Sequence, residues 1–144
     1  MKVRDIMHDV IIVDAASSVY DVSKMMSEKD AGSVLVSVNG AVSGIFTERD
    51  LLNKVVVQGL NVCSTPVGKV MTRPVITIDA DATVLDASRM LNQHDIRRLI
   101  VTEAGKIVGI TTATDVAKNL PFHNLEKMTR ERDYDRIGYY EDKK

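Results

Sequence analysis

Apolar positions change period several times along the chain, and the changes come in the same order twice. Residues 10–15, "VIIVDA", and 74–80, "PVITIDA", are continuous β-branched runs, which predicts a strand at each. Each run gives way to helical spacing, with Val19, Val22, Met25 and Met26 in the first stretch and Val84, Ala87, Met90 and Leu91 in the second. Ser18-x-x-Asp21 and Thr83-x-x-Asp86 stand where capping boxes would open these helices. Two short strands follow in each half. "SVLVSV" and "AVSGIF" are joined by Asn39-Gly40, a pair that favours a type I′ hairpin, and "RLIVT" and "KIVGIT" are joined through Gly105. A last helix closes each half, "ERDLLNKVVVQ" or "ATDVAKNL".

The two halves are copies. Asp14, Val19, Asp21, Met25, Asp30, Val36, Gly40, Gly44, Ile45, Thr47 and Asp50 each meet the same residue type 65 positions on (109 − 44 = 65). Upstream the offset is 64 (71 − 7), Met7 standing over Met71, and Pro74 accounts for the added residue. The expected fold is therefore α/β, two β-α-β-β-α repeats. About 60 residues with few aromatics bury too little to be stable alone, so the halves are expected to pack sheet to sheet about a pseudo-twofold axis. The expected boundaries are residues 1–60 and 67–120 for the repeats, with 61–66 as linker and 121–144 as a charged tail, helical in part.

Composition narrows the class without naming it. A 44% apolar and 27% charged chain with net charge −1 has no global pull toward nucleic acid or an anionic membrane, and 4% aromatic content argues against single-strand stacking. No apolar run is long enough to span a bilayer, and the charged start "MKVRDIMHDV" does not read as a secretory signal. Cys63 is alone, which excludes an internal disulfide, and His8, His94 and His123 lack ligand-like spacing to it or to one another. A cytoplasmic chain without metal is the expectation. No nucleophile–base pair stands out, so catalysis is not expected.

The repeated heptapeptides "GIFTERD" and "GITTATD" carry the candidate chemistry. Thr-x-x-Asp at a helix start is a capping box, worth about 1 kcal/mol with no ligand at all. Glycine inside a strand, as at Gly44 and Gly109, marks the close approach of a ligand or of another backbone. A hydroxyl and a carboxylate at a helix start also suit a nucleotide: threonine near phosphate or ribose, aspartate accepting from both hydroxyls of the sugar. A residue can cap when empty and bind when filled. Arg97-Arg98 is open in the same way, a solvated strand edge or a planar fork for phosphate.

With these motifs at this spacing, the chain resembles a tandem pair of cystathionine β-synthase (CBS) domains, the Bateman module, over roughly residues 3–118. The resemblance implies two clefts between the repeats for adenosine-containing ligands: AMP, ADP, ATP, or S-adenosylmethionine. It places the sugar on Asp50 and Asp115, with Thr47 and Thr112 near ribose and phosphate. Met71, Pro74, Val75 and Ile76 would receive adenine, with Met7, Val10 and Ile11 as their first-repeat counterparts, and Ala31 and Ile96 as further wall. Arg97 and Arg98 match a phosphate-binding pair that would serve either site, and Arg49 would assist from the other side. The first repeat departs here, with Gly32-Ser33 where the arginines would stand. The implied protein is a stand-alone sensor, pairing as a homodimer into a disc of four repeats and acting on a regulated partner. The alternative is an interaction scaffold with empty clefts. In the tail, Tyr134, Tyr139 and Tyr140 read as a frayed charged end or as anchors on a second subunit.

Overall fold

The computed structural model describes residues 1–120. The expectations for the tail, including its tyrosines and His123, lie outside the described residues. The described residues divide into two compact units: Asp9–Ile76, and Met1–His8 together with residues 77–120. The units differ from the sequence repeats in one respect. The opening segment of each repeat packs in the unit built on the other repeat's strands.

In the unit spanning Asp9–Ile76, β1 (Ile12–Asp14) runs parallel to β2 (Ser33–Val38), and β2 pairs antiparallel with β3 (Ala41–Thr47), in the order β1-β2-β3. Helix α1 (Val19–Glu28) is capped by Ser18, whose hydroxyl accepts from the Asp21 amide at 3.0 Å. Its apolar face buries Val19, Val22 and Met26 beside Val34, Val36 and Phe46 of the sheet. Val67, Val70 and Met71 complete the same core, so residues past position 60 fill this unit rather than merely leading out of it. A single 3-10 turn, Val67–Lys69, holds them there, with the Val67 and Gly68 amides donating to Ser17 and Ala15 carbonyls at 2.8 and 2.9 Å.

The other unit repeats this plan. Strand β4 (Thr77–Asp79) is parallel to β5 (Arg98–Glu103), β5 is antiparallel to β6 (Lys106–Thr112), and α3 (Val84–His94) buries Val84, Ala87 and Leu91. The chain's first residues take the place that 66–72 take in the first unit. Val3 is fully buried, its amide donating to the Ala82 carbonyl at 2.9 Å. On the exposed side, Arg4 pairs with Asp81 at 2.8 Å and Glu103 at 3.3 Å.

Most of the repeated identities have a folding cause. Asn39-Gly40 forms the hairpin turn with φ of 52° and 83°, and Ala104-Gly105 does the same at 51° and 77°. Asp30 and Asp95 leave their helices in the left-handed region, which a short polar side chain tolerates. Asp14 and Asp79 each accept from an amide two residues on, at 2.8 Å. The opening strands are shorter than their apolar runs suggest, because only three residues of each find ladder partners. The expected helix over "ERDLLNKVVVQ" is also altered. One α-turn, α2 (Glu48–Asp50), passes into a π-helical stretch over Leu51–Val56. The β-branched run Val55-Val56-Val57 weakens the α preference there.

Candidate functional site

Gly44 and Gly109 each have a segment of the chain itself packed against them. A Cβ on Gly44 would lie 2.6 Å from Met71 Sδ and 2.9 Å from the Thr72 carbonyl oxygen. On Gly109 it would lie 2.7 Å from Met7 Sδ and 3.0 Å from the His8 carbonyl oxygen. The glycines make room for the opening segments, which hydrogen-bond to the next residue of each strand. Thr72 and Ile45 exchange bonds of 2.7 and 3.0 Å, and His8 and Ile110 bonds of 2.8 and 2.9 Å. Met71 is accordingly a core residue, while Met7 is half-buried.

Docking of these segments brings Thr72 to Asp50 and His8 to Asp115. Both carboxylates first serve the capping box. Asp50 Oδ2 accepts from the Thr47 amide at 3.0 Å and Asp115 Oδ2 from the Thr112 amide at 3.0 Å, each answered by a 3.2 Å bond from the aspartate's amide to the threonine hydroxyl. The second oxygen reaches further along the chain. Asp50 Oδ1 accepts from the Thr72 hydroxyl at 2.9 Å and lies 3.2 Å from Lys54 Nζ, with the residue buried. Asp115 Oδ1 lies 2.9 Å from Nε2 of the exposed His8. Burial works to raise the pKa of Asp115, but hydrogen bonds from His8 and Thr112 outweigh it and hold the carboxyl below its usual range.

Other residues singled out in the sequence are spread around these two points. In the second repeat Arg98 stands directly opposite Thr112 in the β5–β6 ladder, and the Arg97 carbonyl accepts from the Ala113 amide at 2.8 Å, at the first residue of α4 (Ala113–Lys118). Ile96, half-buried, precedes them. In the first repeat Ser33 stands opposite Thr47, and Ala31 is half-buried just before β2. Val10 and Ile11 are half-buried at the entry to β1, and the Ile11 carbonyl accepts from the Leu35 amide. Pro74 is exposed, with Val75 and Ile76 half-buried, where the chain leads into β4. Arg49 is exposed. The sequence reading missed His8, Thr72 and Lys54. The 64-residue offset that pairs Met7 with Met71 also pairs His8 with Thr72, and that was the available signal.

Among the described residues there is no cluster of three or more His, Cys, Asp or Glu placed to hold a metal ion, and no helix long and apolar enough to cross a membrane.

The CBS domain family model matches residues 3–57 and 67–121, covering both repeats. The chain belongs to the CBS-domain family. Pairs of this domain typically act as regulatory or sensor modules. The mitochondrial CBS domain-containing protein CBSX3 of Arabidopsis thaliana is 33% identical over 127 residues, which are 85% of this chain and 62% of that protein. YhcV of Bacillus subtilis, another CBS domain-containing protein, is 30% identical over 119 residues, 82% of this chain and 84% of its own length. A crystal structure of an uncharacterized conserved protein from Pyrococcus horikoshii superposes with a TM-score of 0.75 at 34% identity, covering 81% of this chain and 89% of that one. Several relatives are longer. This chain spans 59 to 64% of the length of CBSX3 and of two archaeal proteins that it also matches. The expected fold class is the one observed, two β-α-β-β-α repeats of a CBS-domain pair.

Proposed function

We propose that this CBS-domain protein is a regulatory module that binds adenosine-containing ligands such as AMP, ADP, ATP or S-adenosylmethionine, with the ribose diol on Asp115. One observation carries the reading: beyond its capping bonds, Asp115 keeps a second oxygen whose partner, His8, is largely exposed, with 64% of its side chain accessible. A sugar hydroxyl replaces an exposed imidazole at modest cost, because His8 returns to water. Thr112, Arg97 and Arg98 gather at the same end of the sheet and suit the phosphates. Met7 and Ile96, both half-buried in the same unit, supply apolar wall for the adenine. Thr47, Asp50, Arg49, Val10, Ile11 and Ala31 stand at the matching positions of the first repeat. Occupancy passes to a regulated partner, or to a homodimeric assembly, by differential affinity between two arrangements.

Hydrogen bonds to a charged acceptor contribute about 1.5–3 kcal/mol each, so Asp115→Ala should weaken nucleotide binding by at least about tenfold. Calorimetric titration with AMP and ATP measures this, with circular dichroism to confirm that the variant folds. Unchanged affinity refutes the assignment.

A scaffold without ligand is the second reading, favoured by the fact that every oxygen of Asp50 and Asp115 already has a partner within the chain. A thermal-shift series with the three nucleotides and S-adenosylmethionine separates the two, because a ligand specific to the folded form raises the melting temperature.

A further inference from the structure

Asp50 and Asp115 are equivalent in sequence and unequal in structure. Lys54, one turn after Asp50, places Nζ 3.2 Å from Oδ1 and donates to the Thr72 hydroxyl at 3.0 Å, while that hydroxyl donates to Oδ1 at 2.9 Å. Carboxylate, hydroxyl and ammonium thus close a ring of three short contacts, and the Asp50 side chain is 9% exposed. Among the described residues the second repeat has no such ring. Asn119 stands where Lys54 would be (54 + 65 = 119) and donates instead to the Asp115 main-chain carbonyl at 2.8 Å. Histidine stands in the place of Thr72, and the Asp115 side chain is 18% exposed.

A sugar diol reaching Asp50 would have to break the Thr72 bond and part the carboxylate from Lys54. Asp50 is the more buried of the two carboxylates and holds a hydroxyl and an ammonium on Oδ1, so displacing both costs more than displacing the single exposed His8 from Asp115. A separate asymmetry points the same way. Gly32-Ser33 beside Thr47 offers no cation, whereas Arg98 stands across from Thr112.

We infer that Asp50 is a strut rather than a ligand group. Lys54 and Thr72 close the first repeat to nucleosides, and the chain takes one adenosine-containing molecule, at Asp115. Asp50 instead pins residues 71–72 to the first unit, and the arginine pair serves the second repeat alone. This rests on the sugar-binding reading given above.

The test is a titration of the full-length chain with AMP, read as stoichiometry by calorimetry and native mass spectrometry. Wild type should bind one AMP per chain, and Asp115→Asn should lose binding by at least about tenfold with no residual site of wild-type affinity. Lys54→Met/Thr72→Val should gain a second AMP, and the single Lys54→Met serves the same purpose if the double variant does not fold. Two AMP per wild-type chain, or half the sites surviving in Asp115→Asn, overturns the inference while leaving nucleotide binding intact. A folded Lys54/Thr72 variant that still binds one AMP overturns the role given to those side chains. A wild-type chain that binds no AMP refutes the sugar-binding reading, and the inference falls with it.

Discussion

Replacing Gly44 by alanine probes the joint on which both the fold and the first-repeat carboxylate depend. The added methyl would sit 2.6 and 2.8 Å from Met71 Sδ and Cγ and 2.9 Å from the Thr72 carbonyl oxygen. Met71 lies in the core and has little room to turn, and the Thr72 carbonyl is tied to the Ile45 amide at 3.0 Å. Overpacking of this kind costs about 1–3 kcal/mol. Alanine recovers roughly 0.5–1 kcal/mol of the entropy that glycine loses in a strand. The net loss should be about 1–2 kcal/mol, a fall in melting temperature of about 2–8 °C for a chain of this size. Gly109→Ala meets a carbonyl at 3.0 Å and a half-buried Met7, which yields more easily, so its loss should be smaller. Urea unfolding and scanning calorimetry on the two variants measure the difference. A Gly44→Ala protein as stable as wild type, or less harmed than Gly109→Ala, would refute the docking of residues 71–72 against β3. The Thr72 bond to Asp50 would go with it.

Three further outcomes are expected. The Asp115 carboxyl titrates below the ordinary 3.8, so its contribution to stability is present above that value and lost as pH falls through the lower folded value. Asp115→Asn should therefore flatten the acid limb of urea midpoints measured from pH 6 to 2, and an unchanged limb would contradict the His8 and Thr112 bonds. Arg4→Ala should lower the melting temperature at low salt, with the difference shrinking toward 1 M salt because Arg4, Asp81 and Glu103 meet at the surface. A difference indifferent to salt would assign the effect to packing. Ala104 holds φ of 51°, where its first-repeat counterpart is Asn39, so Ala104→Asn should raise stability by about 0.5–1 kcal/mol in the same unfolding assay.

Period and turn chemistry carried most of the fold. The hairpin at Asn39-Gly40, the boxes at Thr47/Asp50, Thr83/Asp86 and Thr112/Asp115, and the buried faces of α1 and α3 are local consequences of residue type, and local interactions are readable in order along a chain. The box at Ser18 is only half made, because among the described residues its side-chain bond runs only from the Asp21 amide to the hydroxyl. The π-helical stretch after Asp50 depends on valines competing with the helical repeat, a balance that spacing alone does not show.

By itself the sequence determined that the chain is a doubled β-α-β-β-α unit and that each repeat ends in a helix capped by the same threonine–aspartate pair. Only the tertiary structure decided what the second oxygen of each aspartate meets, because that depends on opening segments more than 20 residues away in one repeat and more than 100 in the other. Contacts at such separations arise from packing, not from neighbouring residue types. Two positions identical in sequence therefore acquired different surroundings, a closed ring with Lys54 and Thr72 at one and an exposed histidine at the other.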